Sequence, residues 1–420
     1  MTIEITTLDS GLRIVTDTMR ELETASVGVW IDTGSRSETA PEQGLAHFLE
    51  HMLFKGTRTR SAQDIAEAIE AVGGDINGST SVENTAYQAR VLAADTGLAL
   101  EIIGDILTSS VFDPEEIARE KSVILQEIGE TQDTPDDLVF DHFSEAAYPG
   151  QPFGRSILGT PERVSAFSRP MVQNYLARNY TQPGIVVSAA GAVRHAEIVG
   201  HAQKHFAKLP HEKPVASAPA VYRGGEARLK RKLEQTHVVV GFEAPSFHDP
   251  STYASNVFAS AIGGGLASRL FQEVREKRGL AYSIYSFYWG YSDTGIFGFH
   301  ASCAHKDALE LVSVSLDCLA EGVRTLTETE MRRACASMKL SLLTGLESPA
   351  ARADQIARQI LAFGRVLTRA EIVGKIDALT LDEVRRAGET ALASQPTVAV
   401  VGDIRHAPNP AAVRQRLNGM

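Results

Sequence analysis

The stretch GIVVSAAGAVRH, residues 184–195, decides the architecture, because TVAVVGDIRH at 397–406 repeats its plan of an apolar run, a glycine and a closing Arg-His. The two terminal histidines, His195 and His406, stand 211 positions apart. Working outward, Val27-Gly28 in ASVGVWID and Val240-Gly241 in HVVVGFEA are 213 apart, and helix-like openings at Asp113 and Thr327 are 214 apart. Three offsets near half of a 420-residue chain predict duplication of one domain. Each half mixes short strand-like runs with long helical patterns, so the fold class is α+β: two homologous domains, each a mainly antiparallel sheet packed by helices. The proline-rich LPHEKPVASAP, residues 209–219, separates them. The expected division is a first domain at 1–208, a linker at 209–228 and a second domain at 229–420.

Composition narrows the function. The chain is 43% hydrophobic and 22% charged, as expected of a globular protein with two cores. Its formal charge is 41 − 52 = −11, which argues against a nucleic-acid partner and suits basic peptides. Cys303, Cys318 and Cys335 are too few and too scattered for a disulfide framework, which points to a reducing compartment. No apolar run approaches the ~20 residues of a membrane span, and the opening MTIEITTLDSGLRIV does not read as a signal or transit peptide. The expected location is the bacterial cytoplasm, ahead of the mitochondrial matrix.

Residues 44–56, GLAHFLEHMLFKG, carry the chemistry. Leu45, Phe48, Leu49, Met52 and Leu53 recur at helical spacing and form an apolar face. His47, Glu50 and His51 fall on the opposite face, so two imidazoles one turn apart can grip one metal with a carboxylate beside them. A chance H-x-x-E-H occurs in roughly one chain in forty, so a second element is needed. DPEEIAREKSVILQEIGE, residues 113–130, supplies it: Ile117, Ile124 and Ile128 make a buried stripe, with Glu120 and Glu127 on its flank. A half-buried carboxylate calls for a cation, and two histidines with one glutamate are the usual ligands of a hydrolytic zinc site.

With these motifs together, the chain resembles the pitrilysin family of inverted-zincin peptidases, in the processing-peptidase branch, over essentially its whole length. The resemblance implies one zinc per chain on His47, His51 and Glu127, with Glu50 as base and Glu120 as a further functional glutamate. GGDINGSTSVENTAY, residues 73–87, resembles the family's edge strand, along which an extended substrate adds itself, and Asn77 matches a substrate-contacting asparagine. GGGLASRLFQEVREKRGLAYSIYSF, residues 263–287, is characteristic of the branch, and its Arg275 and Tyr282 match a pair that acts on the substrate. In DDLVFDHF, residues 136–143, Asp137 and Asp141 occupy the acidic positions that hold a substrate arginine.

Only the first half is equipped for catalysis. The offset of 214 puts Ser341 where a counterpart of Glu127 would stand, and no H-x-x-E-H follows residue 51. His300 and His305, in the alternating run FGFHASCAH, read as sheet residues. The implied protein is a zinc endopeptidase for unfolded, basic peptides, assembled from two such chains as a homodimeric clamshell, without nucleic-acid or membrane partners. The rival is a non-catalytic structural or peptide-binding subunit of the same fold.

Overall fold

A computed structural model describes residues 2–213 and 216–419. It contains two sheets. The first is ordered β1-β2-β6-β3-β5-β4, from Thr2–Thr7 (β1), Arg13–Thr18 (β2), Thr24–Ile31 (β3), Asp75–Thr80 (β4), Thr85–Leu92 (β5) and Ile185–Gly191 (β6). The second is ordered β7-β11-β8-β10-β9, from Gly225–Lys230 (β7), Thr236–Ala244 (β8), Ala281–Gly290 (β9), Gly295–Cys303 (β10) and Thr397–Gly402 (β11). Without β1 the two orders coincide strand for strand. In both, one pair is parallel (β2 with β6, β7 with β11) and the other pairs joining these corresponding strands are antiparallel. The repeated glycines hold equivalent places, Gly28 on β3 and Gly241 on β8. Duplication is therefore written in the topology as well as in the spacing.

The chain forms two compact units, and each is discontinuous in sequence. One comprises residues 1–129, 155–218 and 343–367, and the other 130–154, 219–342 and 368–420. Each sheet thus takes one covering helix from the far half of the chain, which a division into contiguous halves does not contain. The linker expected at 209–228 is also shorter, because β7 begins at Gly225. Pro214 and Val215 of that linker lie outside the described residues.

Amphipathic pattern explains the exchange. Helix Pro349–Phe363 presents Ala353, Ile356, Ala357 and Ile360 to Val15, Trp30, Ala86, Val186 and Ala190 on the first sheet. Ile356 and Ile360 are at most 1% exposed, and burying each contributes about 1.5–3 kcal/mol. Polar contacts fix its register: Trp30 Nε1 donates to Asp354 Oδ1 (2.8 Å), and Arg352 Nε to the fully buried Asp17 Oδ2 (2.6 Å). The opposite face of this sheet packs the main core, including Leu45, Phe48, Leu49, Met52 and Leu53. In the other unit, helix Pro135–Ala147 lies on β7, β8 and β11. Gly241 makes room for it, since any side chain there would meet the Phe143 ring. The three cysteines are free and buried.

Candidate metal centre

Helix Leu45–Leu53 begins at Gly44, whose φ of 91° is open to glycine and whose added Cβ would lie 2.7 Å from the Leu158 carbonyl. No side chain at Gly44 can cap the helix, so Glu38 does so from outside. Its carboxyl oxygens accept the Gly44 and Ala46 N–H groups at 2.9 and 2.7 Å. The helix is thereby fixed at its start and by its buried apolar face, leaving His47, Glu50 and His51 half-buried on the other side.

Helix Pro114–Asp133 buries Ile117, Ile124 and Ile128 and brings Glu120 and Glu127 to the histidines. His47 Nε2 lies 3.7 Å from Glu127 Oε2, and His51 Nε2 lies 3.7 Å from Glu127 Oε1. One ligand atom from each residue falls within 4.8 Å of the others. These separations are too long for hydrogen bonds. Two ligands bound at about 2.0–2.2 Å in tetrahedral geometry sit about 3.3–3.6 Å apart, so an ion fits the gap. Glu127 Oε2 is buried and finds no hydrogen-bond partner among the described residues, which is the condition of a ligand awaiting a cation.

The surroundings set the protons. His51 Nδ1 is 3.0 Å from Glu120 Oε2, and Lys55 Nζ is 2.6 Å from Glu120 Oε1. Burial alone would raise the Glu120 carboxyl, but the bonds from His51 and Lys55 outweigh it and hold the group below its ordinary value. The Glu120 carboxylate accepts a hydrogen bond from the Nδ1–H of His51, which leaves Nε2 as the ring atom that faces Glu127. The same bond is the main cause that raises the His51 pKa. Burial, with help from His51, pushes His47 down to about 4, so its ring is neutral and fit to ligate. Glu50 is raised chiefly by burial, against the bond that Thr80 Oγ1 donates to its Oε2 at 2.5 Å. A carboxyl with a raised pKa beside three potential ligands suits proton transfer near neutral pH.

The remaining candidates fall into separate groups. Asn77 is exposed on β4, the edge strand of the first sheet, next to Gly78, which abuts the Glu50 side chain. Arg275 and Tyr282 belong to the second unit and meet each other, the guanidinium standing 4.8 Å from the Tyr282 ring centre and 4.7 Å from that of Phe271. Tyr282, on the edge strand β9, is 77% exposed. Asp137 and Asp141 sit one turn apart on helix Pro135–Ala147, the first exposed and the second half-buried. Sequence reasoning missed Lys55, Thr80 and Glu38. Lys55 carried a signal, standing four residues beyond His51, whereas Thr80 and Glu38 reach the site only through strand and loop placement.

The frame is a duplicated α+β fold, and its two histidines one turn apart with a carboxylate from a second helix form a group able to hold a metal ion. Comparison with known proteins makes this specific. The family description "Insulinase (Peptidase family M16)" matches residues 13–161, and "Peptidase M16 inactive domain" matches residues 166–338. An uncharacterized zinc protease of Streptomyces coelicolor is 38% identical over 416 residues, covering 96% of this chain and 90% of that protein. A probable mitochondrial-processing peptidase subunit beta of Arabidopsis thaliana is 36% identical, covering 98% of this chain and 80% of that one. The crystal structure of a peptidase M16 inactive domain from Pseudomonas fluorescens shares the fold, with a TM-score of 0.88 at 20% identity, covering 97% of this chain and 99% of the other. A protease from Helicobacter pylori does likewise, with a TM-score of 0.87 at 22% identity, 96% and 99% covered. The chain belongs to peptidase family M16, the pitrilysin family, in its processing-peptidase branch. Its relatives are zinc proteases by name.

Proposed function

We propose that this chain is a zinc-dependent endopeptidase that cleaves unfolded, basic peptides. One observation carries the reading: the two oxygens of Glu127 each stand 3.7 Å from an imidazole Nε2, one of His47 and one of His51. Zinc held by these three residues would supply a Lewis acid that acidifies water and polarises a peptide carbonyl. Glu50 takes the attacking water's proton on its carboxylate and returns it to the leaving amine. Thr80 fixes which Glu50 oxygen is engaged, and Glu120 orients His51 through Nδ1. The unpaired edge of β4 offers backbone groups to an extended substrate, with Asn77 beside them. Arg275 and Tyr282 bind the substrate backbone or the developing oxyanion, as the family resemblance implies. Asp137 and Asp141 accept a substrate arginine, in keeping with a net charge of −11.

Two identical chains form the working assembly, because one sequence carries both the metal ligands and the Arg/Tyr pair. The rival, a non-catalytic subunit, is disfavoured by the intact set His47, Glu50, His51, Glu120 and Glu127. Among the described residues no helix is long and apolar enough to cross a membrane, and we place the chain in the bacterial cytoplasm. Zinc analysis, gel filtration and cleavage of one arginine-rich and one acidic peptide, all on the same fraction, test the reading. Glu50→Gln should keep its zinc and lose at least about 10²-fold in turnover. Cleavage at the unmutated rate with zinc bound would remove Glu50 as base, equal turnover of the two peptides would remove Asp137 and Asp141, and a single-chain elution volume would remove the dimer.

A further inference from the structure

The second unit contains another convergence of ligand-type side chains. His237 on β8 pairs with Ser302 on β10, and His300 on β10 pairs with Val239 on β8, so the two histidines are diagonal neighbours on one face of the sheet. Their ring centres are 6.1 Å apart. Asp136, in the first turn of helix Pro135–Ala147, reaches them from above: its Oδ1 is 3.1 Å from His237 Nδ1 and 3.4 Å from His300 Nε2. One ligand atom from each residue lies within 4.8 Å of the other two.

His300 makes this more than a solvated cluster. It is 3% exposed, and neither ring nitrogen has a hydrogen-bond partner among the described residues. Leaving a buried polar atom unmet costs about 1–3 kcal/mol, so two on one ring call for a missing partner. Phe140 and Tyr285, each 5.4 Å between ring centres, enclose the imidazole and fix its orientation. Burial pushes its pKa down to about 4, which keeps the ring neutral with a lone pair free. A cavity of about 460 Å³, lined by Pro135, Leu233, Glu234, Gln235, His237 and Ala304, reaches the His237 side. The 62% exposed Asp136 side chain stands at the surface. An ion therefore has an entry path.

We infer that Asp136, His237 and His300 hold a second divalent ion of the zinc or cobalt class, tying helix Pro135–Ala147 to β8 and β10. Two imidazoles and one carboxylate are the donor set that favours such ions over magnesium or calcium, which prefer oxygen ligands. Nothing in this inference depends on peptide cleavage. The expected metal content of the full chain becomes two ions, where the sequence implied one.

The test removes the first centre before counting. The full-length His47→Ala/Glu127→Ala variant, checked for fold by circular dichroism, is dialysed against Zn²⁺ or Co²⁺ and analysed for bound metal. One equivalent should remain, with the visible bands of four-coordinate cobalt when Co²⁺ is used. Adding Asp136→Asn, at an exposed position, or His300→Phe, which keeps an aromatic ring between Phe140 and Tyr285, should take that equivalent to none. A folded His47→Ala/Glu127→Ala variant that binds no metal overturns the inference, as does a folded Asp136→Asn addition that keeps the equivalent. Neither result bears on His47, His51 and Glu127, whose own metal is read from the unmutated chain.

Discussion

Glu120 stands between two nitrogen donors of the first centre, meeting His51 Nδ1 at 3.0 Å through one oxygen and Lys55 Nζ at 2.6 Å through the other. Its hydrogen-bond and ion-pair partners are His51 and Lys55, so its proposed action on a bound ion passes through the His51 ring. Outer-shell partners of this kind tune affinity by about 10–100-fold. Glu120→Gln should therefore weaken zinc binding by that factor in a chelator competition and recover cleavage when zinc is raised. Glu127→Gln should not be rescued in the same way. Equal zinc affinity in Glu120→Gln and the unmutated protein would reduce the contact to a buried structural ion pair with no part in holding the metal.

Gly78 tests how tightly Glu50 is placed. A Cβ on Gly78 would lie 2.6 Å from Glu50 Cγ and 2.9 Å from Oε1, so even alanine must displace the glutamate. The glycine's backbone angles are not in the left-handed region, so the strand itself accepts the substitution. Gly78→Ala should keep its zinc and its melting temperature to within a few degrees, while kcat drops by about 10²-fold. A variant with unchanged kcat would show that Glu50 need not stand where Thr80 holds it.

The convergence of His47, His51 and Glu127 was legible because helical periodicity is local. His47 and His51 at i and i+4 must share a face, and Glu127 sits beside Ile124 and Ile128, which had to be buried. Duplication was legible too, since the offset from His195 to His406 survives the divergence of everything between. The exchange of covering helices was not. Ala353, Ile356, Ala357 and Ile360 announce an apolar face, but a pattern of that kind does not say which sheet receives it. The same limit hid Asp136, His237 and His300. Strand alternation turned His300 inward, and only the placement of helix Pro135–Ala147 brings a carboxylate to it.

The exchanged helix has a measurable anchor. Asp17 is fully buried, and Arg352, 6% exposed, is its ion-pair partner at 2.6 Å. Removing one member of a buried pair strands the other's charge and costs about 3–5 kcal/mol. Arg352→Leu should lose that much in denaturant unfolding, and Asp17→Leu/Arg352→Leu should recover a large part of it. Trp30 is the reporter, since it packs in the same cluster and bonds to Asp354 on the same helix. Replacing Trp289 by Phe leaves Trp30 as the single tryptophan of the chain. A double variant as unstable as the single one would mean that the helix is held by its apolar face alone.

Glu330 accepts hydrogen bonds from Arg269 Nε and Nη2 at 2.6 and 2.9 Å, and from the Thr327 N–H and hydroxyl at 2.8 and 2.7 Å. These bonds, Arg269's foremost, lower its carboxyl from the ordinary 4.5 to about 2. A depressed carboxylate stabilises the fold fully above 4.5, and that contribution is lost as pH falls from 4.5 towards 2. The pair is partly open to water, with Glu330 16% and Arg269 18% exposed, so about 1–2 kcal/mol is expected at pH 7 and not the full linkage value. Glu330→Gln keeps the shape and removes the charge. Its unfolding free energy should lie below that of the unmutated protein at pH 7, and the gap should narrow steadily between pH 4.5 and 3. A gap that stays constant over this interval would assign the difference to lost cap geometry at Thr327 and take the charge on Glu330 out of the account.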